Sequence, residues 1–455
     1  MAFALDSHQV PQHHAALASL KQHGVFLDSS CTGAGKTYIA VAVAAELKRP
    51  TLVITPKPAI MQWKRIMELA GYSPLAVINP EALIRSRKNK WYDIDAKLWK
   101  IPKNTLVIFD EPHRGASGPE SATTFAVARL KAYKQSGISL YALTATLADS
   151  PLKLKAMGYW FDLHDFTSAG FTKFCEDHGC FWKDISLQRT MTMTQGGVTS
   201  QIKTWDLKPK LTFTIDDAKA KEAMLAIKEK IGSRMAGLQV ADIPGFPEQV
   251  VEILYLDINT RARKEIDAAY VEMDERLRTN ASTEMAQINR LRERVEFIKA
   301  DAIAEHMDMS RDRGYAAVAF TNFTSARLRL MEKLKLDDTH TICGGQSDAA
   351  RMKAQDSFQD NTSNCIVVMT QAGGVALSLH DVHHVRQRVS YLTPSFRSDE
   401  LVQTLGRIRR SHGTSVTQYI CVTVGTVEEK VAAKLGKKLK CVDTINDSDV
   451  NPFKD

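Results

Sequence analysis

Over the first 150 positions, apolar residues collect into short, nearly unbroken runs separated by helix-like stretches. The runs read GVFLDS (24–29), TLVITP (51–56), LAVINP (75–80), TLVIFDE (105–111) and SLYALTAT (139–146), and KTYIAVAVAAELK (36–48) is among the helical segments between them. Runs without polar alternation belong to strands covered on both faces, and their alternation with helices predicts a parallel α/β sheet. A second series begins near residue 248: QVVEILYLDI, YAAVAFTN, THTICGG, CIVVMT, VRQRVSYL and TQYICVTV. The same architecture is therefore predicted twice.

Between the two series the pattern breaks. TMTMTQGGVTSQIKTW (190–205) alternates on both sides of Gly196-Gly197, which predicts a β-hairpin, and AKAKEAMLAIKEKIGSRM (218–235) predicts a helix. A longer helix is predicted from Thr283 to Met309, where Met285, Ile288, Leu291, Val295 and Ile298 recur at helical spacing as packing positions. The chain thus divides into a first lobe (1–165), an insertion (166–247), a second lobe (248–441, including the helical segment 260–309) and a polar tail (442–455).

Composition narrows the class. The 455 residues suffice for two or three domains with cores of their own. Hydrophobic residues make up 44% and charged residues 25%, an ordinary soluble balance, and no apolar run approaches the ~18 residues of a membrane span. The opening MAFALDSHQVPQ lacks the pattern of a secretory signal. Seven cysteines, several within strand-like runs, read as buried free thiols of a reducing compartment. Cys175, His178 and Cys180 in CEDHGC have half the spacing of a zinc site but no second ligand pair nearby, and read as a loop. HDVHH (380–384) reads as a packed turn. The net charge of +8 favours a polyanionic partner.

The chemistry concentrates in two places. SCTGAGKT (30–37) follows a predicted strand and opens a predicted helix, the context of a phosphate-binding loop. Gly33 and Gly35 let successive N–H groups converge on phosphate oxygens, Lys36 reaches the outer phosphates, and the Thr37 hydroxyl suits Mg²⁺. Ser30 occupies the position where the general pattern has glycine, and only a small residue is expected to be needed there. TLVIFDE then delivers Asp110 and Glu111 to the carboxyl edge of the same sheet, where Asp110 suits Mg²⁺ and Glu111 an attacking water.

With DEPH at 110–113, these segments resemble the motifs of superfamily 2 DExH-box helicases and translocases, whose first motif commonly replaces the first glycine by another small residue. TLVITP resembles motif Ia, LTAT motif III, AVAFTNF motif IV and MTQAGGVALSL motif V, while QTLGRIRR matches the Q-x-x-G-R-x-x-R of motif VI. VITPKPAIMQWKR, INPEALIR, ICGGQSDAARMKAQDSFQD and VGTVEEKV resemble segments of the SWI/SNF-like double-stranded DNA translocases. YLTPSFRSDE lacks that branch's usual tryptophan, and His412 stands where glutamine is common, as in a compact phage or bacterial relative.

The resemblance implies two tandem RecA-like lobes with a helical and hairpin insertion between them. It implies an ATP site of Thr32, Gly33, Ala34, Gly35, Lys36 and Thr37, with Gly374 and Gln403 from the second lobe and Gln12 reading adenine, Gln9 being the competing choice. Arg407 and Arg410 would complete catalysis, Arg410 as arginine finger. His113, Thr144 and Thr146 would couple hydrolysis to motion. Lys57, Thr321, Asn322 and Thr370 match nucleic-acid contact positions. RSRKNKWYDIDAKLWK (85–100) either adds Arg85, Lys88, Lys90 and Trp91 or is a solvated basic loop. The implied protein is a monomeric, cytoplasmic ATPase of a bacterial or phage-infected cell, using ATP and Mg²⁺ and moving on double-stranded or branched DNA in preference to RNA. An ATP-gated clamp and a remodeller of a DNA-bound protein are the alternatives.

Overall fold

The computed structural model describes residues 3–85, 90–112, 121–145, 148–195, 198–214, 216–279, 282–370, 377–393 and 398–429. The strands up to the end of the insertion are β1 (Val25–Asp28), β2 (Thr51–Ile54), β3 (Ala76–Ile78), β4 (Tyr92–Asp93), β5 (Leu98–Trp99), β6 (Leu106–Asp110), β7 (Ser139–Leu143), β8 (Cys180–Gln195), β9 (Val198–Phe213) and β10 (Met235–Ala236). Six of them form one all-parallel sheet in the order β10-β1-β7-β6-β2-β3. The apolar runs are buried because helices cover both faces, so Val25–Leu27, Leu52–Ile54, Leu106–Phe109 and Leu140–Leu143 leave almost no surface to water.

The second lobe repeats the plan. Strands β11 (Gln249–Leu256), β12 (Ala316–Thr321), β13 (Thr341–Ile342), β14 (Cys365–Met369), β15 (Arg388–Leu392) and β16 (Val416–Thr423) build a parallel sheet ordered β11-β16-β15-β12-β14-β13. The two-lobed α/β architecture expected from the hydrophobic pattern is present. The long helix is Ser282–Asp312, and it places Glu296 and Lys299 inside the lobe. Lys299 pairs with Glu428 at 2.7 Å, both side chains about 1% exposed, and the same carboxylate accepts the Thr423 N–H at 2.9 Å. This buried pair fastens the VGTVEE segment to the core.

The insertion contains the expected hairpin and helix. β8 and β9 pair antiparallel from Cys180↔Phe213 to Gln195↔Val198, and a helix spans Asp217–Ile231; Gly196-Gly197 lie outside the described residues. These elements do not form a separate body, however. Phe171, Phe174, Cys175, Cys180, Met224, Ile227 and Ile231 enter the first lobe's core, and β10 extends its sheet beside β1. A two-residue strand carries no periodic signal, so only the folded chain reveals it. Residues 90–100 of the basic and aromatic segment contain the β4–β5 pair. Its Tyr92 and Trp99 are buried, with the Trp99 indole donating to Ala126 O at 2.8 Å, and the Lys90 ammonium lies 4.7 Å from the Trp91 ring centre. Arg85 ends a short helix, and Lys88 lies outside the described residues.

In HDVHH, Asp381 is fully buried. It accepts bonds from Asn361 and the Arg386 N–H and lies beside the buried Arg388, so the turn is anchored through Asp381 while Val382, His383 and His384 are exposed. His178 directs Nδ1 to Phe174 O at 2.6 Å and Nε2 to the Lys230 ammonium at 2.9 Å, and the thiols of Cys175 and Cys180 beside it are free.

Candidate functional site

Helix Lys36–Leu47 begins where the loop after β1 ends. Gly35 caps it with φ 83° and Gly33 has φ 90°, left-handed conformations that strain any residue with a Cβ. The Lys36 ammonium donates to Ser30 O at 2.8 Å and Cys31 O at 3.1 Å, so it lies along the inside of the loop. Gln9 donates to Ala34 O at 3.0 Å from the neighbouring short helix.

At the end of β6 the chain turns sharply. Glu111 takes φ 52°, rare for a residue with a side chain, while its N–H donates to Leu143 O at 2.9 Å and its carboxylate accepts the Thr144 hydroxyl at 2.8 Å. Asp110 accepts two bonds, from the Thr55 hydroxyl at 2.8 Å and the Trp63 indole at 2.9 Å. Both fall on Oδ2, so Oδ1 is the oxygen left to a cation. Burial, and after it the Glu111 carboxylate, holds the Asp110 carboxyl above the usual range, which favours a neighbouring positive charge.

The second lobe meets this loop directly. A Cβ on Gly406 would sit 2.5 Å from Thr32 Oγ1, and one on Gly33 would sit 3.3 Å from Arg409 O. The Ser411 hydroxyl donates to Gly33 O at 3.3 Å. Arg407 and Arg410 both reach Leu377 O, at 3.3 and 3.4 Å. Burial lowers Arg410 to about 10, and its buried Nε has no hydrogen-bond partner among the described residues. A cavity of about 460 Å³ opens here, within the size range of small-molecule sites. Gln9, Thr32, Gly33, Gly35, Lys36, Thr37, Asp110 and Glu111 line it from one side, and Gln403, Arg407 and Arg410 from the other. His380 lies on the same wall, pushed down to about 4 by burial and then by Arg410 and Arg388.

Two expectations at this site need correction. Gln12 does not line the cavity: it is 4% exposed and donates to Asp28 Oδ1 at 3.0 Å and Ala236 O at 2.8 Å. Gln9, one helical turn earlier, is the glutamine on the cleft. Ser30 is more than a small residue. Its hydroxyl donates to Asp28 and accepts the Leu238 N–H at 3.0 Å, completing a buried network that includes Tyr141. Burial raises Asp28 above the usual carboxylate range, and Lys36 and the Ser30 bonds oppose that shift. His113, Thr146 and Gly374 lie outside the described residues.

The expected nucleic-acid contacts do not gather in this way. Lys57 is exposed on a short turn after β2, and Thr370 is half-buried, its N–H donating to Thr321 O at 2.7 Å. Thr321 itself is 3% exposed. Asn322 is held by Glu296, which accepts its N–H at 2.6 Å and its side-chain amide at 2.9 Å, and which also accepts the Phe323 N–H and the Thr393 hydroxyl. Glu296 was not legible as a functional position; it is one polar residue on a helix read as packing. Trp63 was visible within MQWKR, but its bond to Asp110 was not.

Residues 298–412 match the helicase conserved C-terminal domain. A protein of Acanthamoeba polyphaga mimivirus named as an ATP-dependent RNA helicase is 27% identical over 96% of this chain and 83% of its own length. A protein of Invertebrate iridescent virus 3 named as a helicase is 37% identical over 16% of this chain and 22% of its own. The Sulfolobus solfataricus SWI2/SNF2 ATPase core in complex with dsDNA superposes with a TM-score of 0.37 at 16% identity, covering 98% of this chain and 93% of that one. Residues 298–412 thus resemble a helicase C-terminal domain, and nearly the whole chain is similar to a viral protein named as a helicase. Among the described residues, no helix is long and apolar enough to cross a membrane.

Proposed function

We propose that the protein hydrolyses ATP between its lobes to move along or remodel double-stranded or branched DNA. The observation that carries this reading is the single cavity that Lys36, Thr37, Asp110 and Glu111 share with Gln403, Arg407 and Arg410. The donor set fits a nucleotide with its cation. A glycine-turned loop at a helix N-terminus suits phosphates, and a hydroxyl with one carboxylate suits Mg²⁺, which keeps several waters and phosphate oxygens as ligands. Mg²⁺ when bound would neutralise charge on the outer phosphates.

The chain's own groups supply the remaining roles. Lys36 would leave the loop carbonyls for a phosphate. Glu111, oriented by Thr144, would position and deprotonate water. Arg410 would stabilise charge as it develops, with Arg407 beside it. Because the two arginines come from the second lobe, turnover requires the lobes to be together, which converts hydrolysis into relative motion. Gln9 is the better candidate for contact with the base. Contacts to the DNA backbone would dominate, giving salt-dependent binding with little sequence preference.

DNA is favoured by the SWI/SNF-like segments around Lys57 and after motif IV. RNA is the second reading, favoured by the name of the mimivirus relative. ATPase rates measured side by side with duplex, fork, Holliday junction, single-stranded DNA and RNA test the choice. Strongest stimulation by duplex or junction is expected, and stimulation by RNA alone would overturn it. Triplex displacement then separates a translocase from an ATP-gated clamp, and a pull-down on DNA tests for a remodelled partner.

A further inference from the structure

The stretch that leaves the insertion for the second lobe, residues 235–249, is bonded at both ends to the two halves of the cleft. At its start, the Ser29 N–H donates to Ala236 O and the Cys31 N–H to Leu238 O, each at 2.9 Å. The Leu238 N–H returns the contact by donating to Ser30 Oγ at 3.0 Å. The chains run so close that a Cβ on Gly237 would lie 2.5 Å from Ser29 Oγ. At its end, Arg409 donates through Nε to Pro247 O at 2.8 Å and through Nη1 to Gln249 Oε1 at 3.1 Å. The same guanidinium lies 4.8 Å from the centre of the Phe246 ring. Between these ends, Leu238, Val240, Ile243 and Phe246 pack with Cys31, Ala34 and Ile39 of the phosphate loop and its helix.

We propose that residues 235–249 form a strap, held by Ser30 at one end and Arg409 at the other, that sets the spacing between the phosphate loop and Arg410. Ser30 and Arg409 are then positioning residues, acting through the connector on groups that must meet within fractions of an ångström. Arg409 is adjacent in sequence to Arg410, and Ser30 lies within the loop that Lys36 follows, so each anchor is rigidly joined to the group it places. A flexible connector would leave the two lobes to find this register by diffusion. The strap accounts for serine where the general loop pattern has glycine: a glycine offers no acceptor to the buried Leu238 N–H. The proposal rests on the ATPase reading only for the role of Arg410.

The test uses the full chain with Ser30→Ala, Arg409→Met, Arg409→Lys and the double variant Ser30→Ala/Arg409→Met. Two measurements are made on each: steady-state ATP hydrolysis, and hydrogen exchange of peptides covering 235–243 and 244–250. Ser30→Ala and Arg409→Met are each expected to lower kcat roughly ten- to a hundredfold, with the KM for ATP within about threefold. The double variant should be no slower than the slower single one, because releasing either end slackens the strap. Arg409→Lys keeps one donor and should recover part of kcat. Arg409→Met should raise exchange at 235–243 as well as at 244–250. Losses that multiply in the double variant, or exchange that rises only next to each substitution, would overturn the strap. If the unaltered chain turns over no ATP, the ATPase reading fails, and the spread of exchange still decides the strap. If Arg409→Met does not fold, Arg409→Lys and Ser30→Ala make the same comparison.

Discussion

The cleft between the lobes and the edge expected to face nucleic acid carry equally recognisable motifs, yet only the cleft gathers its side chains around one space. There, Lys36, Asp110, Glu111 and Arg410 line a common cavity. At the other edge, Thr321 is buried and Asn322 is bound to Glu296, while Lys57 alone among the four candidates is exposed. The difference follows from what each region uses. A phosphate loop works through backbone N–H groups, so spacing of its glycines fixes the geometry locally. A track works through side chains whose orientation depends on distant neighbours, and Glu296 arrives from a helix that no short motif announces. The motif IV asparagine therefore acts first as a fastener of its own loop.

The largest effect should come from Lys36→Ala, which is expected to abolish ATP turnover while largely retaining DNA binding. Full ATPase activity in that variant would dissolve the cleft side of the contrast. Next, Arg410→Ala should lower kcat by about 10³-fold or more with little change in nucleotide affinity. Single-turnover rates with a binding titration decide this; a collapse of affinity with kcat preserved would make Arg407 the better finger.

Glu296→Ala probes the other edge. It leaves the Asn322 and Phe323 amides without their acceptor and should destabilise the second lobe by about 1–3 kcal/mol, read from denaturant unfolding. Unchanged stability would mean that Asn322 is free to face a ligand, and the contrast would weaken. Lys57→Ala should be milder: basal ATPase unchanged, DNA affinity reduced, and the salt slope of binding smaller by about one. An unaltered slope would remove the last exposed candidate. Smallest of all, shortening Thr192–Gln201 to a tight turn should leave duplex-stimulated ATPase within about a few-fold and weaken remodelling of forks or junctions. Equal loss of both activities would make the ribbon structural.

Most of the fold was legible because eleven of its strands are apolar runs in a fixed alternation with helices. What escaped was whatever lacks a period. β10 has two residues, β4 and β5 two each, and the segment that offered Arg85, Lys88, Lys90 and Trp91 as nucleic-acid contacts also places Tyr92 and Trp99 in the first lobe's core. In the cleft, residues set by chain-local spacing were readable, while the choice between Gln9 and Gln12 was not. Both lie near the start of one helix, and which of them faces the loop depends on Asp28, a buried acid that only the folded sheet brings to Gln12. The use of the Ser30 hydroxyl was hidden for the same reason, since Leu238 is remote in sequence.

The Lys299–Glu428 pair also says where the chain can be cut. The matched domain, 298–412, contains the ammonium and not the carboxylate. A fragment trimmed to it would strand a charge in apolar surroundings, a defect of about 3–5 kcal/mol against a total stability of about 5–15. It would also leave β15 without its neighbour β16 and discard β11 altogether. A recognisable domain and a portable one are thus different objects here. The smallest piece of the second lobe fit for transplantation or separate expression runs from Gln249 past Glu428, so that both members of the pair travel together.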